Sequence, residues 1–295
     1  MADPVTLSAM FGTYANTVPL KKGEVKSPLV CFDFADVKVA NQFFKSVVRD
    51  ARYDVSELAI VTYLQAKAYN KPYVLLPAVV VSRSQHHTIA YNAERGLLKP
   101  SDLNGKRVGV RAYTQTTGAW VRGILGDEYG LDVNKVKWIT FEDPHVAEYH
   151  DPAIVERAPE SKNLNQMLID GEVDAAILGD VALDPRFKTL IPEPEKVAAQ
   201  WAASHGGIPI NHMVVIREQI AKTRPDVVKE VFRLLVESAA KGGLKGDQAA
   251  AIRFGLDAVR ASLEHIIDYS VTQKLIPRRF TVDELFDDTT RALKP

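Results

Sequence analysis

The stretch LKPSDLNGKRVGVRAYTQTTGAWVRGILGDEYG occupies residues 98–130 and decides the fold class. Its residues predict a turn over 102–107, a strand RVGVR over 107–111, a polar loop AYTQTTG over 112–118, and a helix that Gly130 ends. A strand followed by a loop and a helix is the repeating element of α/β proteins.

The alternation of strand and helix continues on both sides of this stretch. Strand patterns recur at VTLSAMFG (5–12), LVCFDFAD (29–36), KPYVLLPAVVVSRSQ (71–85), VKWITF (136–141), DAAILGD (174–180) and INHMVVIR (210–217). Helical patterns recur over 39–50, from 163, over 225–243 and over 251–276. In addition, Asp54 and Glu57 have capping-box spacing, which predicts a helix beginning near residue 55. The sequence therefore predicts an α/β fold with mostly parallel sheets.

Composition excludes several classes of protein. The 295 residues carry 37 Lys and Arg against 37 Asp and Glu, and a net charge of zero is atypical of proteins that bind nucleic acid or anionic membranes. Cys31 is the only cysteine, which rules out an internal disulfide and a cysteine-based zinc site. No apolar window approaches a membrane span, and the first 25 residues lack the pattern of a signal peptide, so we expect a soluble cytoplasmic protein. A monomer and a homo-oligomer both stay open.

Three segments resemble the type II periplasmic-binding-protein fold: DLNGKRVGV (102–110) with its Thr-rich loop, GEVDAAI (171–177) and the strand INHMVVI (210–216). That resemblance implies two α/β lobes joined by two crossing strands, with a ligand held in a central cleft. It places residues 1–85 and 215–295 in lobe one and residues 86–214 in lobe two.

A narrower resemblance covers most of the chain. The segments YDVSELAIVTYLQAKAYNKPYVLLPAVVVSRSQHH (53–87), RVGVRAYTQTTGAWVRGIL (107–125) and IPINHMVVIR (208–217) look like the 4,5-dihydroxyphthalate decarboxylases. The resemblance implies a cytoplasmic carboxy-lyase that removes carbon dioxide from a small aromatic acid. The alternative is a non-catalytic solute-binding or sensor protein for a small aromatic or heterocyclic acid, which would use the same anchors.

Non-oxidative decarboxylation of a hydroxylated ring needs an acid that protonates the ring carbon, anchors for the carboxylates and a dry pocket. We expect no cofactor and no metal, because the histidines show neither HxH nor HExxH spacing. His212, on the last predicted strand, is the first candidate for the acid, since histidine titrates near neutral pH. Glu57 is the rival, and would have to be buried to stay protonated. His86 is the third candidate.

The candidate anchors for substrate carboxylates and hydroxyls are spread along the chain. Ser56 lies at the predicted helix start, and the loop with Thr114, Thr116 and Thr117 precedes a helix N-terminus, which favours anions. For each the alternative is a plain cap or an ordinary turn. The remaining candidates are charged or polar residues at strand ends or next to His212, namely Arg83, Arg111, Asp180 and Asn211. For the two arginines the alternative is a salt bridge or a solvated strand end, and for Asp180 it is a loop cap.

Overall fold

The computed structural model describes residues 4–179 and 184–295. Its chain forms two compact units: unit 1 contains Met1–Arg83, Ile210–Glu264 and Arg278–Pro295, and unit 2 contains Ser84–Pro209 and His265–Pro277. The chain passes from unit 1 to unit 2 after Arg83 and returns at Ile210, whereas the sequence prediction places these boundaries at 85 and 214. The segment 265–277 belongs to unit 2, although the sequence prediction assigns it to lobe one.

The strands form one sheet in each unit. In unit 1 the order is β2-β1-β3-β11-β4, with β1 (Val5–Met10), β2 (Val30–Phe34), β3 (Val55–Ala59), β4 (Tyr73–Ser82) and β11 (Ile210–Arg217). In unit 2 the order is β10-β5-β9-β6-β7-β8, with β5 (Ile89–Asn92), β6 (Arg107–Val110), β7 (Lys137–Thr140), β8 (Val155–Arg157), β9 (Ala175–Ile177) and β10 (Phe187–Thr189).

Helices connect most of these strands. They are α1 (Val18–Lys21), α2 (Phe44–Asp50), α3 (Ile60–Ala68), α4 (Thr116–Tyr129), α5 (Leu164–Asp170), α6 (Pro194–Ser204), α7 (Glu218–Thr223), α8 (Pro225–Lys241), α9 (Gly246–Ala251), α10 (Leu256–Thr272) and α11 (Asp288–Arg291). Among the described residues, none of these helices combines the length and the apolar character that crossing a membrane requires.

The sheet of unit 1 contains both parallel and antiparallel pairs. Strand β1 pairs in parallel with β2 and β3, whereas β11 lies between β3 and β4 and is antiparallel to both. Helix α8 covers one face. Its Pro225 and Asp226 suit a helix start, and Val227, Val231 and Leu235 follow at helical spacing and pack into the core with the apolar residues of the sheet.

The sheet of unit 2 contains the stretch that decides the fold class. Strand β6 pairs in parallel with β7 and β9, and β5 joins β9 antiparallel. Helix α4 follows β6 as predicted, but it begins at Thr116 instead of Ala119, so the Thr-rich segment supplies its first turn. The helix ends at Gly130, whose φ of +67° is the left-handed conformation in which glycine carries no steric penalty.

Several sequence predictions differ from the structure in position or type. The predicted helix over 39–50 is a 3-10 turn at Ala40–Gln42 followed by α2, and that over 251–276 is α10, which begins at Leu256 and ends at Thr272. The short strands β5, β8 and β10 and the helix α6 were not predicted. Three to four residues give too little periodicity for a strand to be recognised. Helix α6 begins at Pro194, because proline is tolerated in the first turn of a helix.

One buried cation holds α4 against the end of α10 within unit 2. The side chain of Arg122 has no exposed surface, and its guanidinium donates to the carbonyl of Tyr113 at 2.6 Å and to Oε1 of Gln273 at 2.6 Å. The same guanidinium stacks on the rings of Tyr113 and Trp138. Gln273 also donates to the carbonyl of Ala119 at 2.8 Å. Burial lowers the pKa of Arg122, so these acceptors stabilise a charge that water cannot reach.

We expect Gln273→Met to lower the free energy of unfolding of unit 2 by about 1–3 kcal/mol, because the buried guanidinium loses an acceptor without a change in volume. All three tryptophans, Trp120, Trp138 and Trp201, lie in unit 2, so tryptophan fluorescence during urea unfolding reports on this unit. The control is Gln166→Met on the exposed face of α5, expected to change stability by under about 0.5 kcal/mol. Equal effects of the two variants would contradict the role of Gln273.

Candidate active site

The segment around Glu57 is a strand, so the predicted helix start near residue 55 is wrong. Residues Val55–Ala59 form β3 and the helix begins only at Ile60. Asp54 does not cap a helix: its Oδ2 accepts hydrogen bonds from the backbone N–H of Ser8 at 2.9 Å and from the Ser8 hydroxyl at 2.7 Å. The capping-box spacing is therefore fortuitous, and the partners of β3 on both sides determine its conformation.

Strand pairing brings the two leading acid candidates together. On the antiparallel pair of β3 and β11, Glu57 lies opposite Val214 and His212 lies opposite Ala59. Glu57 and His212 are thus diagonal neighbours on one face of the sheet, a separation that long side chains can bridge. The Nδ1 atom of His212 lies 2.9 Å from Oε1 of Glu57.

The carboxylate of Glu57 is completely buried, and three hydrogen-bond donors surround it. The backbone N–H of Gly12 donates to Oε2 at 2.6 Å, and the hydroxyl of Tyr14 donates to Oε1 at 3.0 Å. His212 supplies the third contact, also at Oε1. Burial and the neighbouring carboxylate raise the pKa of the Tyr14 phenol, which keeps that group a neutral donor. The arrangement suits an ionised carboxylate, which has acceptors only.

The loop after β1 presents Gly12 and Tyr14 to Glu57 in a fixed conformation. The hydroxyl of Thr17 donates to the carbonyl of Gly12 at 2.8 Å and accepts from the backbone N–H of Tyr14 at 2.9 Å. The ring of Tyr14 packs so closely on Gly12 that a Cβ at position 12 would lie 2.5 Å from two ring-end atoms of Tyr14. Glycine is required here for close approach of the ring.

His212 lies at the boundary between this buried cluster and solvent. Its side chain is 20% exposed, and the buried ring of Phe44 contacts it edge-on with 5.2 Å between ring centroids. Because the Glu57 carboxylate can only accept, the hydrogen bond places a proton on Nδ1 and leaves Nε2 to exchange the other proton. The pair therefore has the geometry of an acid–base imidazole oriented by a carboxylate.

His86, the third acid candidate, lies in unit 2 in a 3-10 turn, His86–Thr88, directly after the segment 71–85 that the sequence predicts as a strand. Its side chain is 1% exposed, and neither ring nitrogen has a hydrogen-bond partner among the described residues. Its ring contacts that of Trp201 edge-on. Burial, reinforced by His87 and His205, lowers the pKa of His86 to about 4. At neutral pH this imidazole is uncharged.

The other candidates in unit 1 lie near the ends of the central strands. Ser56 is buried on β3, and its hydroxyl donates to the carbonyl of Glu57 at 2.7 Å. The hydroxyl that the sequence predicts as a substrate anchor therefore binds its own strand. Asn211 is buried next to His212, where the pairing of β11 with β4 is irregular. Arg83 follows β4 and is partly buried.

The candidates in unit 2 cluster at the carboxyl end of β6. Arg111 directly follows this strand and forms an ion pair with Glu142 at 2.5 Å, which is the salt-bridge alternative that the sequence left open. The side chains of Thr114, Thr116 and Thr117 are buried at the start of α4. Asp180 lies outside the described residues.

Side chains of the types that bind metal ions do not converge in the described parts of the chain. Over residues 4–179 and 184–295, no group of three or more histidine, cysteine, aspartate and glutamate side chains is placed to hold one. Glu57 and His212 form a pair, and the third and fourth groups around them are an amide and a phenol.

Sequence reasoning missed Gly12 and Tyr14. The segment FGTY after the first strand shows that a loop begins there, but it does not show which residues this loop contacts. The contacts that matter span 45 residues for Gly12 and 43 for Tyr14. A glycine directly after an apolar strand, followed two residues later by an aromatic residue, is the only local signal.

Comparison with known proteins identifies the family. No family model matches the chain. A protein named 4,5-dihydroxyphthalate decarboxylase from Comamonas testosteroni is 32% identical over 233 residues, which are 74% of this chain and 70% of that protein. One of the same name from Pseudomonas putida is 34% identical over 214 residues, 68% of this chain and 82% of that protein. The chain belongs to the 4,5-dihydroxyphthalate decarboxylase family.

The fold of this family member is also found among solved structures. The periplasmic aliphatic sulphonate binding protein SsuA from Escherichia coli superposes with a TM-score of 0.64 over 99% of this chain and 95% of that one, at 12% identity. The predicted periplasmic-binding-protein-like α/β fold, the family and its enzyme class, carboxy-lyase, are therefore confirmed. Identity this low supports the fold alone.

We expect Gly12→Ala to lower the free energy of unfolding by about 1–3 kcal/mol, because the added methyl group overlaps the Tyr14 ring. Urea unfolding followed by circular dichroism would measure it. The matched control is Gly126→Ala in α4, where the new Cβ meets nothing closer than 3.6 Å, so stability should hold or rise by up to about 1 kcal/mol. A Gly12→Ala protein as stable as the control variant would contradict the close packing of Tyr14.

Proposed function

We propose that this protein decarboxylates 4,5-dihydroxyphthalate, or a close relative, to 3,4-dihydroxybenzoate and carbon dioxide without a cofactor. The observation that carries the proposal is the hydrogen bond between the buried Glu57 carboxylate and Nδ1 of His212. It leaves a partly exposed imidazole as a proton donor in a family whose named members are decarboxylases.

The reaction that this pair supports has two steps. First, the imidazolium of His212 transfers its Nε2 proton to the ring carbon that bears the departing carboxylate, while the hydroxyl para to that carbon supplies the electron pair. Next, the bond between the ring and the carboxylate breaks, its electron pair restores the aromatic ring, and carbon dioxide leaves. His212 ends neutral and regains its proton from water. The net reaction consumes one proton for each carbon dioxide released.

Glu57 acts in this scheme as a positioning residue. Its oxygens already accept from Gly12, Tyr14 and His212, so the carboxylate fixes the imidazole tautomer and its negative charge stabilises the imidazolium. The same three donors argue against Glu57 as the proton donor, because a protonated carboxyl would have to give up one of these contacts.

His86 is less suited to give the first proton than His212. With a pKa of about 4, roughly one His86 side chain in a thousand is protonated at pH 7. Its buried ring can serve as a neutral hydrogen-bonding or packing group instead.

The substrate anchors stay predictions. The start of α4 is the best suited among them, since the first turn of a 14-residue helix carries partial positive charge and Thr114, Thr116 and Thr117 add hydroxyls there. Arg83 and Asn211 add a cation and an amide. Arg111 is already paired with Glu142, and Ser56 with its own strand, so both would have to exchange partners to bind a carboxylate.

We expect His212→Asn to lower kcat for 4,5-dihydroxyphthalate by about 10²- to 10⁴-fold and to change substrate affinity little, because the proton donor is lost while the anchors remain. Release of carbon dioxide and formation of 3,4-dihydroxybenzoate measure kcat, and calorimetry measures affinity. The matched control is His150→Asn, an exposed histidine expected to keep full activity.

Two outcomes would count against this assignment. Tight binding of 4,5-dihydroxyphthalate by the unaltered protein with no product formed would favour the solute-binding alternative. Turnover by His212→Asn at the level of the unaltered protein would remove His212 from the proton transfer.

Cofactor independence is tested separately. We expect kcat to be unchanged after dialysis against a chelator such as EDTA, because protonation by His212 needs no Lewis acid. The control is addition of divalent metal to the dialysed enzyme. Loss of turnover that the metal restores would show that a metal ion takes part.

A further inference from the structure

Tyr14 and His212 donate to the same oxygen of the same carboxylate. Both contacts are to Oε1 of Glu57, at 3.0 Å from the Tyr14 hydroxyl and 2.9 Å from Nδ1 of His212, while Oε2 is occupied by the Gly12 N–H at 2.6 Å. The carboxylate is inaccessible to water, so its negative charge is shared among these donors.

Sharing has an electrostatic consequence for His212. Each donor to an ionised acceptor draws on its charge, and hydrogen bonds to charged groups are among the strong ones in proteins. A donor at Oε1 other than His212 therefore weakens the pull of Glu57 on the imidazolium. We propose that Tyr14 is a positioning residue that limits how strongly Glu57 stabilises the protonated form of His212, by occupying the same carboxylate oxygen.

The neighbours of His212 on the adjacent strands and on α2 are apolar. Opposite His212 on the two neighbouring strands are Ala59 of β3 and Val81 of β4, and the ring that contacts it from α2 is Phe44, none of which titrates. Glu57 and Tyr14 are the titratable groups that the structure places on its Nδ1 side. Lys21, at the end of α1, is bound to the carbonyl of Phe11 and the hydroxyl of Thr13.

The role of Tyr14 in catalysis rests on the proposed function, in which His212 donates the proton. A proton donor must be protonated before the reaction and must release its proton during it, so the strength of the Glu57 contact has to be intermediate. Tyr14 would adjust that strength without contacting the substrate.

The first test is Tyr14→Phe, which removes the hydroxyl and keeps the ring over Gly12. Proton NMR of the ligand-free protein follows the imidazole signals against pH, with the His212 signal identified by its absence in His212→Asn. We expect the titration midpoint of His212 to rise by about half a pH unit or more. The control is Tyr69→Phe at the end of α3 in the same unit, expected to leave the midpoint unchanged.

A second variant keeps the proposal testable if Tyr14→Phe does not fold. Site-specific replacement of Tyr14 by 3,5-difluorotyrosine makes the phenol a stronger donor, and burial keeps it protonated. The midpoint of His212 should then move down. An unchanged midpoint in both variants, or a shift in the same direction in both, would overturn the proposal.

Kinetics separate this inference from the proposed function. If His212 is the proton donor, the alkaline limb of the kcat profile of Tyr14→Phe should move to higher pH together with the NMR midpoint. A shifted midpoint with an unshifted kcat profile would support the role of Tyr14 and contradict that of His212 in catalysis. If His212→Asn loses turnover but the His212 midpoint is unshifted in Tyr14→Phe, the result supports the role of His212 in catalysis and contradicts that of Tyr14.

Discussion

A carboxylate without exposed surface must receive its hydrogen bonds from the protein, because water cannot reach it to solvate the charge. Glu57 meets this requirement with an amide, a phenol and an imidazole, which come from two separate parts of the chain. The loop after β1 has to close over β3, and β11 has to return beside β3, before the charge is satisfied. One buried charge thus couples the local folding of unit 1 to the placement of its histidine.

Two histidines of this protein have contrasting surroundings. His212 is held by a carboxylate at the edge of solvent, and that contact orients its free nitrogen. His86 is buried against Trp201 without a hydrogen-bond partner in the described chain, and desolvation lowers its pKa to about 4. Environment, and not residue type, distinguishes an imidazole oriented by a carboxylate from one that is buried and stays uncharged.

Unit 2 contains a buried cation, which likewise depends on the protein for its hydrogen bonds. Arg122 is held by carbonyl and amide oxygens and by two aromatic faces, without a carboxylate within salt-bridge distance among the described residues. Neutral acceptors fix α4 through this guanidinium, and the carboxylate of Asp151 acts on its charge without a direct contact.

The sequence by itself determined the α/β class, the strand–loop–helix unit at 107–130 and the resemblance that placed the chain in its family, because these depend on local periodicity and short motifs. It also identified Glu57 and His212 as candidates, but it placed Glu57 on a helix, since capping-box spacing is a local pattern that neighbouring strands can override. Only the tertiary structure decided that these residues touch and that Gly12 and Tyr14 complete their surroundings. Those contacts join residues 43 to 155 positions apart. Strand register brings His212 to Glu57, the loop after β1 brings Gly12 and Tyr14, and no local pattern encodes either.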